Sequence, residues 1–140
     1  MRVSERLLLL VAPAAALAAL DLFVKATVPT ASWAFHHRSG AWVALCVGLL
    51  VGTAFLSVVP STLVAVAGGV MSAGVLGNLV SARADGNWVP NPLILRTGEF
   101  TVAFNLADVF FLLGNVLLMM TLMAEAIRHR DRVAAARGRN

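Results

Sequence analysis

Four long apolar runs constrain the fold of this chain more than any other feature. They lie at about residues 7–25, 41–59, 62–82 and 102–127. Each run has the roughly 20 residues that an α-helix needs to cross the hydrocarbon core of a bilayer. Only 13% of the residues are charged, whereas a soluble domain has about 25%. The sequence therefore predicts an all-α membrane protein with four transmembrane helices.

The distribution of arginine predicts the orientation of these helices. Four spans place both termini on one side, and arginines occur at Arg2, at Arg6 and repeatedly in the segment 128–140. By the positive-inside rule, both termini are cytoplasmic. We divide the chain into a transmembrane domain, 1–127, and a basic cytoplasmic tail, 128–140. The tail is interpreted as an anchor on anionic lipid, so membrane lipid is the expected partner and nucleic acid is not.

The two connections that then face outward differ in character. Residues 29–40 are polar and aromatic, which is typical of a membrane interface. Residues 83–101 form the longest hydrophilic segment, and extended backbone is expected around Leu93–Leu95. The fold class is thus four helices with a small extracytoplasmic loop and strand region.

Metal and disulfide chemistry find little support in the sequence. Cys46 is the single cysteine and lies in an apolar stretch, which is typical of a small packing residue. The adjacent His36 and His37 have no evident third ligand nearby. We therefore expect no metal and no cofactor.

A small set of polar residues lies at one depth in the predicted helices, near their outward ends. At about 1.5 Å per residue, this set comprises Asp21, Asn78, Asn105 and Asp108. Lys25 follows Asp21 by one helical turn, which suits an ion pair. A carboxylate inside a membrane span costs about 2.5–3.5 kcal/mol or more. The set predicts either a functional site or interhelical contacts that hold the bundle together.

The segment that opens the fourth run resembles a motif of a known family. Phe104-Asn105-Leu106-Ala107-Asp108 matches in full the Phe-Asn-x-Ala-Asp element of the bacterial lipoprotein signal peptidases, or signal peptidase II. In that family this aspartate is one of two catalytic aspartates, which implies a catalytic role for Asp108. The family's four-helix topology, with both termini cytoplasmic, also resembles the predicted one.

Two further motifs resemble the same family. Its helix-one pattern, an Asp followed four residues later by a Lys, is similar to Asp21–Lys25. Its Gly-Asn-x-x-Asp-Arg element is matched at Gly77-Asn78. The resemblance spans most of the chain. It implies an aspartic endopeptidase of the bacterial cytoplasmic membrane that cleaves lipidated prolipoproteins before the modified Cys and uses no metal.

The chain departs from the family pattern at several positions. Ser81 and Ala82 stand where the third-helix Asp and Arg are expected, with Arg83 one position further on. Arg38 occupies the position of a loop asparagine. Pro90 aligns with the second catalytic aspartate, and proline cannot ionise.

Whether the resemblance implies an active enzyme depends on the carboxylates that remain in the outward connections. Activity requires Asp85, or else Glu99, to reach Asp108. With Asp85 as the second catalytic group, the supporting residues are Asp21, Lys25, Asn78, Arg83 and Asn105. The prediction is a weakly active or inactive signal peptidase II-like protein, with lipidated prolipoprotein as a candidate ligand. The alternatives are a non-catalytic lipid- or lipoprotein-binding protein of the same fold and a structural membrane protein.

Overall fold

Four long helices form the body of the protein. The computed structural model describes residues 2–137. The helices are α1, Val3–Thr27; α2, Gly40–Phe55; α3, Thr62–Ala84; and α4, Leu106–Arg137. A short 3-10 turn, Leu56–Val58, continues α2. All four helices are long and apolar enough to cross a membrane, which confirms the predicted fold class.

Two small antiparallel sheets lie at one end of the helix bundle. Strand β1, Phe35–His37, pairs with β2, Trp88–Pro90. Strands β3, Leu93–Thr97, and β4, Phe100–Phe104, form a hairpin whose turn contains Gly98 at a φ of 57°. At this end α1 and α3 finish and α2 and α4 begin, so we call it the hairpin end. The predicted strand region is thereby confirmed, and it ties the two longest connections together.

Helix α3 is the centre of the bundle because its small residues let the other helices approach closely. In its most apolar stretch 67% of the residues are buried, against 17–22% in the other three helices. Gly74 lies against the backbone of Ala107 and Phe111 in α4, and Gly114 of α4 lies against the backbone of Met71. The glycines of α3 therefore serve helix packing, as their composition indicates.

The contact at Gly74 leads to a prediction about stability. A Cβ at this position overlaps backbone atoms of α4, so Gly74→Ala forces α3 and α4 apart. We expect a loss of about 1–3 kcal/mol in the free energy of unfolding, which is typical of overpacking. Gly48→Ala is the matched control, because a Cβ there meets nothing within 4 Å. Denaturant unfolding in detergent measures both variants, and equal stabilities contradict the packing role.

The fourth helix differs from the predicted span at both ends. It begins at Leu106 and not near residue 102, because Phe100–Phe104 pairs with β3 as a strand. It also continues to Arg137, so most of the basic tail is helical. An ion pair of 3.2 Å joins Arg128 of this extension to Glu125 three residues earlier, a spacing that stabilises exposed helices.

Candidate functional site

The start of α4 is built by two side chains that bond reciprocally. Asn105 precedes the first helical residue, and its Oδ1 accepts a hydrogen bond of 2.9 Å from the backbone N–H of Asp108. The Oδ2 of Asp108 accepts a bond of 3.2 Å from the backbone N–H of Asn105. This is a capping box, which satisfies two backbone donors at a helix start. The motif therefore shapes the helix terminus as well as presenting a carboxylate.

A buried network of amide side chains holds Asp108 in place. The Nδ2 of Asn78 donates to Asp108 Oδ1 at 2.9 Å. The Nδ2 of Asn105, which is fully buried, lies 3.0 Å from Asn78 Oδ1 and 2.5 Å from Asn91 Oδ1. The same nitrogen is 3.4 Å from the carbonyl oxygen of Pro90. Because each amide is oriented by its neighbours, the network gives Asp108 one defined orientation.

An ion pair between Asp21 and Lys25 adjoins this network. Lys25 Nζ lies 2.7 Å from Asp21 Oδ2, and the two side chains are 4% and 0% exposed. The ammonium group also donates to Asn78 Oδ1 at 2.8 Å, and Asp21 Oδ1 accepts from the backbone N–H of Ala107 at 2.8 Å. Gly77 leaves the room that Asp21 occupies, since a Cβ there meets its carboxylate. The pair thus joins α1 to both α3 and α4.

A cavity of about 250 Å³ lies beside Asp108; we call it the Asp108 cavity. It is found between α2 and α4, which both pack on α3. Its polar lining comprises Arg38, Asn78 and Asp108, and its other lining residues are Trp42, Leu45, Cys46, Leu49, Gly74, Val75 and Phe111. This combination of an apolar wall and a few polar groups is typical of a ligand site.

The structure brings together five of the residues that the sequence indicates. The hydrogen bonds and ion pair described above connect Asp21, Lys25, Asn78, Asn105 and Asp108. Asp85 is exposed at the C-terminus of α3 and lines two other cavities at the hairpin end, neither of which Asp108 lines. Arg83 is exposed in the last turn of α3. Among residues 2–137, no group of three His, Cys, Asp or Glu side chains could hold a metal ion.

Sequence reasoning missed Asn91, which is only 2% exposed. Its Nδ2 lies 2.8 Å from His36 Nδ1, and its backbone N–H donates to the carbonyl of Ala34 at 3.1 Å. No local pattern signals this role, because the pairing of β1 with β2 buries the residue. The capping box, in contrast, is visible in the sequence as an Asn followed by an Asp three residues later.

Comparison with known proteins identifies the fold. No protein-family model and no curated protein sequence matches the chain. The structure is similar to that of a bacterial membrane enzyme solved by the in meso method at 2.3 Å resolution, with 17% sequence identity. The TM-score is 0.61, and the match covers 81% of this chain and 87% of that chain. The protein is therefore a multi-pass membrane protein with a fold like that of a bacterial membrane enzyme.

Proposed function

We propose that this protein is a signal peptidase II-like component of the bacterial cytoplasmic membrane, with both termini cytoplasmic. In this proposal it binds lipidated prolipoproteins in the Asp108 cavity and cleaves them weakly or not at all. One observation carries the proposal. Among the described residues that line the cavity, Asp108 is accompanied by an amide and a guanidinium group and by no second carboxyl group.

An aspartic peptidase needs two carboxyl groups that share a proton. One activates the attacking water, and the other protonates the leaving amine. In this protein the two oxygens of Asp108 accept hydrogen bonds from Asn78 Nδ2 and from the backbone N–H of Asn105. Pro90 stands where the resembling family has its second aspartate. Asp108 therefore has an orienting environment but lacks the acid–base partner.

The walls of the Asp108 cavity support binding of an apolar ligand. Most of its lining residues are apolar and come from helices long enough to cross a membrane. An acyl chain that enters from the bilayer leaves an equally apolar medium, so it is held here by van der Waals packing against these walls and not by removal from water. The predicted depth of Asp108, near the outer boundary of the bilayer, suits the junction between a signal peptide and a lipidated cysteine.

The test compares binding and cleavage of a diacylglyceryl-modified prolipoprotein by the purified protein. We expect the wild-type protein to bind the substrate but to process it far more slowly than an intact signal peptidase II assayed in parallel. Asp108→Asn is expected to leave the residual cleavage rate unchanged, because a single carboxylate does not complete the mechanism. Failure of the folded wild-type protein to bind the prolipoprotein contradicts the proposal.

The same assay tests the alternative in which Asp85 supplies the second carboxyl group. In that case cleavage is robust, and both Asp85→Asn and Asp108→Asn abolish it while the bundle stays folded. The exposed position of Asp85, at a separate cavity, leads us to expect no effect of Asp85→Asn. Thermal unfolding of each variant in detergent provides the control for folding.

A further inference from the structure

We propose that Arg38 binds the phosphate group of a glycerophospholipid whose acyl chain occupies the Asp108 cavity. This inference rests on the proposed lipid-binding role of the cavity. It adds a second ligand, whose charged headgroup differs from that of a prolipoprotein. The ligand class follows from three features: an unpartnered cation, an apolar wall and a nearby carboxylate.

The guanidinium group of Arg38 is held in position, and within the described part of the chain it forms no ion pair. Its Nε is buried and has no hydrogen-bond partner among the described residues. Its guanidinium carbon lies 5.1 Å from the ring centroid of Trp42, within the range of a cation–π contact. The backbone N–H of Arg38 donates to the carbonyl of Asn87 at 2.7 Å. Buried donors normally have partners, so a ligand acceptor at this point satisfies the unpaired N–H of Arg38 Nε.

Phosphate is the acceptor that suits this group best. A guanidinium presents several N–H donors in a planar fork that matches the oxygens of phosphate. The wall beside Arg38 includes Leu45, Leu49 and Phe111, which suit an acyl chain and not a water-soluble anion. Phosphate and acyl chain occur together in a glycerophospholipid, which is available to a cavity among membrane-spanning helices.

The position of Asp108 selects among phospholipid headgroups. Asp108 lines the same cavity as Arg38, and the two form no ion pair among the described residues. Because both side chains line one cavity, a headgroup that bears a hydrogen-bond donor beyond its phosphate can contact the guanidinium group of Arg38 and the carboxylate of Asp108. The ammonium group of phosphatidylethanolamine pairs with the carboxylate while its phosphate contacts Arg38. The structure thus predicts a preference for phosphatidylethanolamine over phosphatidylcholine, which has no such donor.

The experiment is a titration of the delipidated protein in detergent, followed by native mass spectrometry. The probes are phosphatidylethanolamine, phosphatidylcholine, phosphatidylglycerol and inorganic phosphate. We expect Arg38→Gln to weaken phosphatidylethanolamine binding by about 10- to 100-fold, the effect of losing hydrogen bonds to a charged group. Arg38→Lys keeps the charge but loses Nε, so its affinity should be intermediate. Arg96→Gln, at an exposed arginine of β3 outside the cavity, should bind as the wild type does.

Two variants separate the contributions of the headgroup. Asp108→Asn is expected to weaken phosphatidylethanolamine binding more than phosphatidylcholine binding, because only the former loses a charge-assisted hydrogen bond. The proposal is overturned if folded Arg38→Gln binds phospholipid as tightly as the wild type. It is also overturned if inorganic phosphate binds as tightly as the lipids, since this indicates a site for free anions.

Prolipoprotein binding, measured beside phospholipid binding for the wild type and the same variants, separates this inference from the proposed function. Prolipoprotein binding retained by a wild-type protein that binds no phospholipid overturns the phosphate site alone. Loss of prolipoprotein binding with phospholipid binding intact overturns the proposed function alone. Thermal unfolding of each variant shows whether a lost affinity reflects the site or the fold.

Discussion

Replacing Lys25 with methionine is expected to destabilise the protein by about 3–5 kcal/mol, the cost of leaving a buried charge without its partner. Among residues 2–137, the variant leaves the fully buried Asp21 with only the backbone N–H of Ala107 as a donor. It also removes the donor that Lys25 provides to Asn78. The free energy of unfolding, measured with denaturant in detergent, tests this expectation.

Two comparisons establish that the effect comes from the buried ion pair. The double variant with Asp21→Asn and Lys25→Met should be more stable than Lys25→Met alone, because no unpaired charge remains. Glu125→Gln removes the partner of Arg128 from an exposed pair whose side chains are 25% and 60% accessible; such pairs contribute only about 0–1 kcal/mol. Equal losses in Lys25→Met and Glu125→Gln contradict a special role for the pair at the site.

Pro90→Asp is expected to raise the rate of prolipoprotein cleavage by about 100-fold or more, within the range typical of a positioned acid–base group. The backbone of residue 90 reaches the network, since Asn105 Nδ2 is 3.4 Å from the Pro90 carbonyl and Asn105 also caps the helix at Asp108. Pro90 lines a neighbouring cavity together with Lys25, so the new carboxyl group must turn from there toward Asp108. An aspartate at position 90 restores the carboxyl group that the resembling family carries there. The cleavage assay described above measures the gain.

Pro90→Asn is the matched control for this gain. It provides the same backbone N–H and a side chain of similar shape, but it cannot exchange a proton. The combination of Pro90→Asp with Asp108→Asn should return the rate to that of the wild type, because the mechanism needs both carboxyl groups. If Pro90→Asp binds the prolipoprotein, stays folded and still does not cleave it, the cavity is not arranged for peptide hydrolysis.

The membrane fold could be predicted from the sequence because a backbone in lipid must satisfy its own hydrogen bonds. Long apolar runs therefore become helices, and polar side chains at one depth meet at one end of the bundle. The same reasoning did not predict where α4 starts. Phe100 and Val102 are as apolar as the helix that follows, but they belong to β4 and are 76% and 56% exposed. An apolar run alone does not distinguish a hairpin at the bundle end from a helical turn.

The positions of other site residues depend on contacts between distant parts of the chain. Asn91 is buried because β1 and β2 bring residues 35–37 beside residues 88–90. Arg38 lines the Asp108 cavity because α2 starts immediately after β1. Neither placement has a periodic signature, so sequence reasoning identified Arg38 only as a departure from a family motif and did not identify Asn91.

The reciprocal bonds between Asn105 and Asp108 bear on how this chain could change over evolutionary time. These two side chains cap the start of α4, and Asp108 also lines the cavity; loss of a helix cap costs about 0.5–2 kcal/mol. Selection for a correctly inserted fourth helix therefore retains both residues whether or not peptide bonds are cleaved. Under the proposed function, a protein that has lost its second aspartate therefore keeps the first one, because the start of the helix depends on it. The motif at residues 104–108 is then explained by helix geometry alone, and under the proposed function the residue at position 90 is the one that distinguishes cleavage from binding.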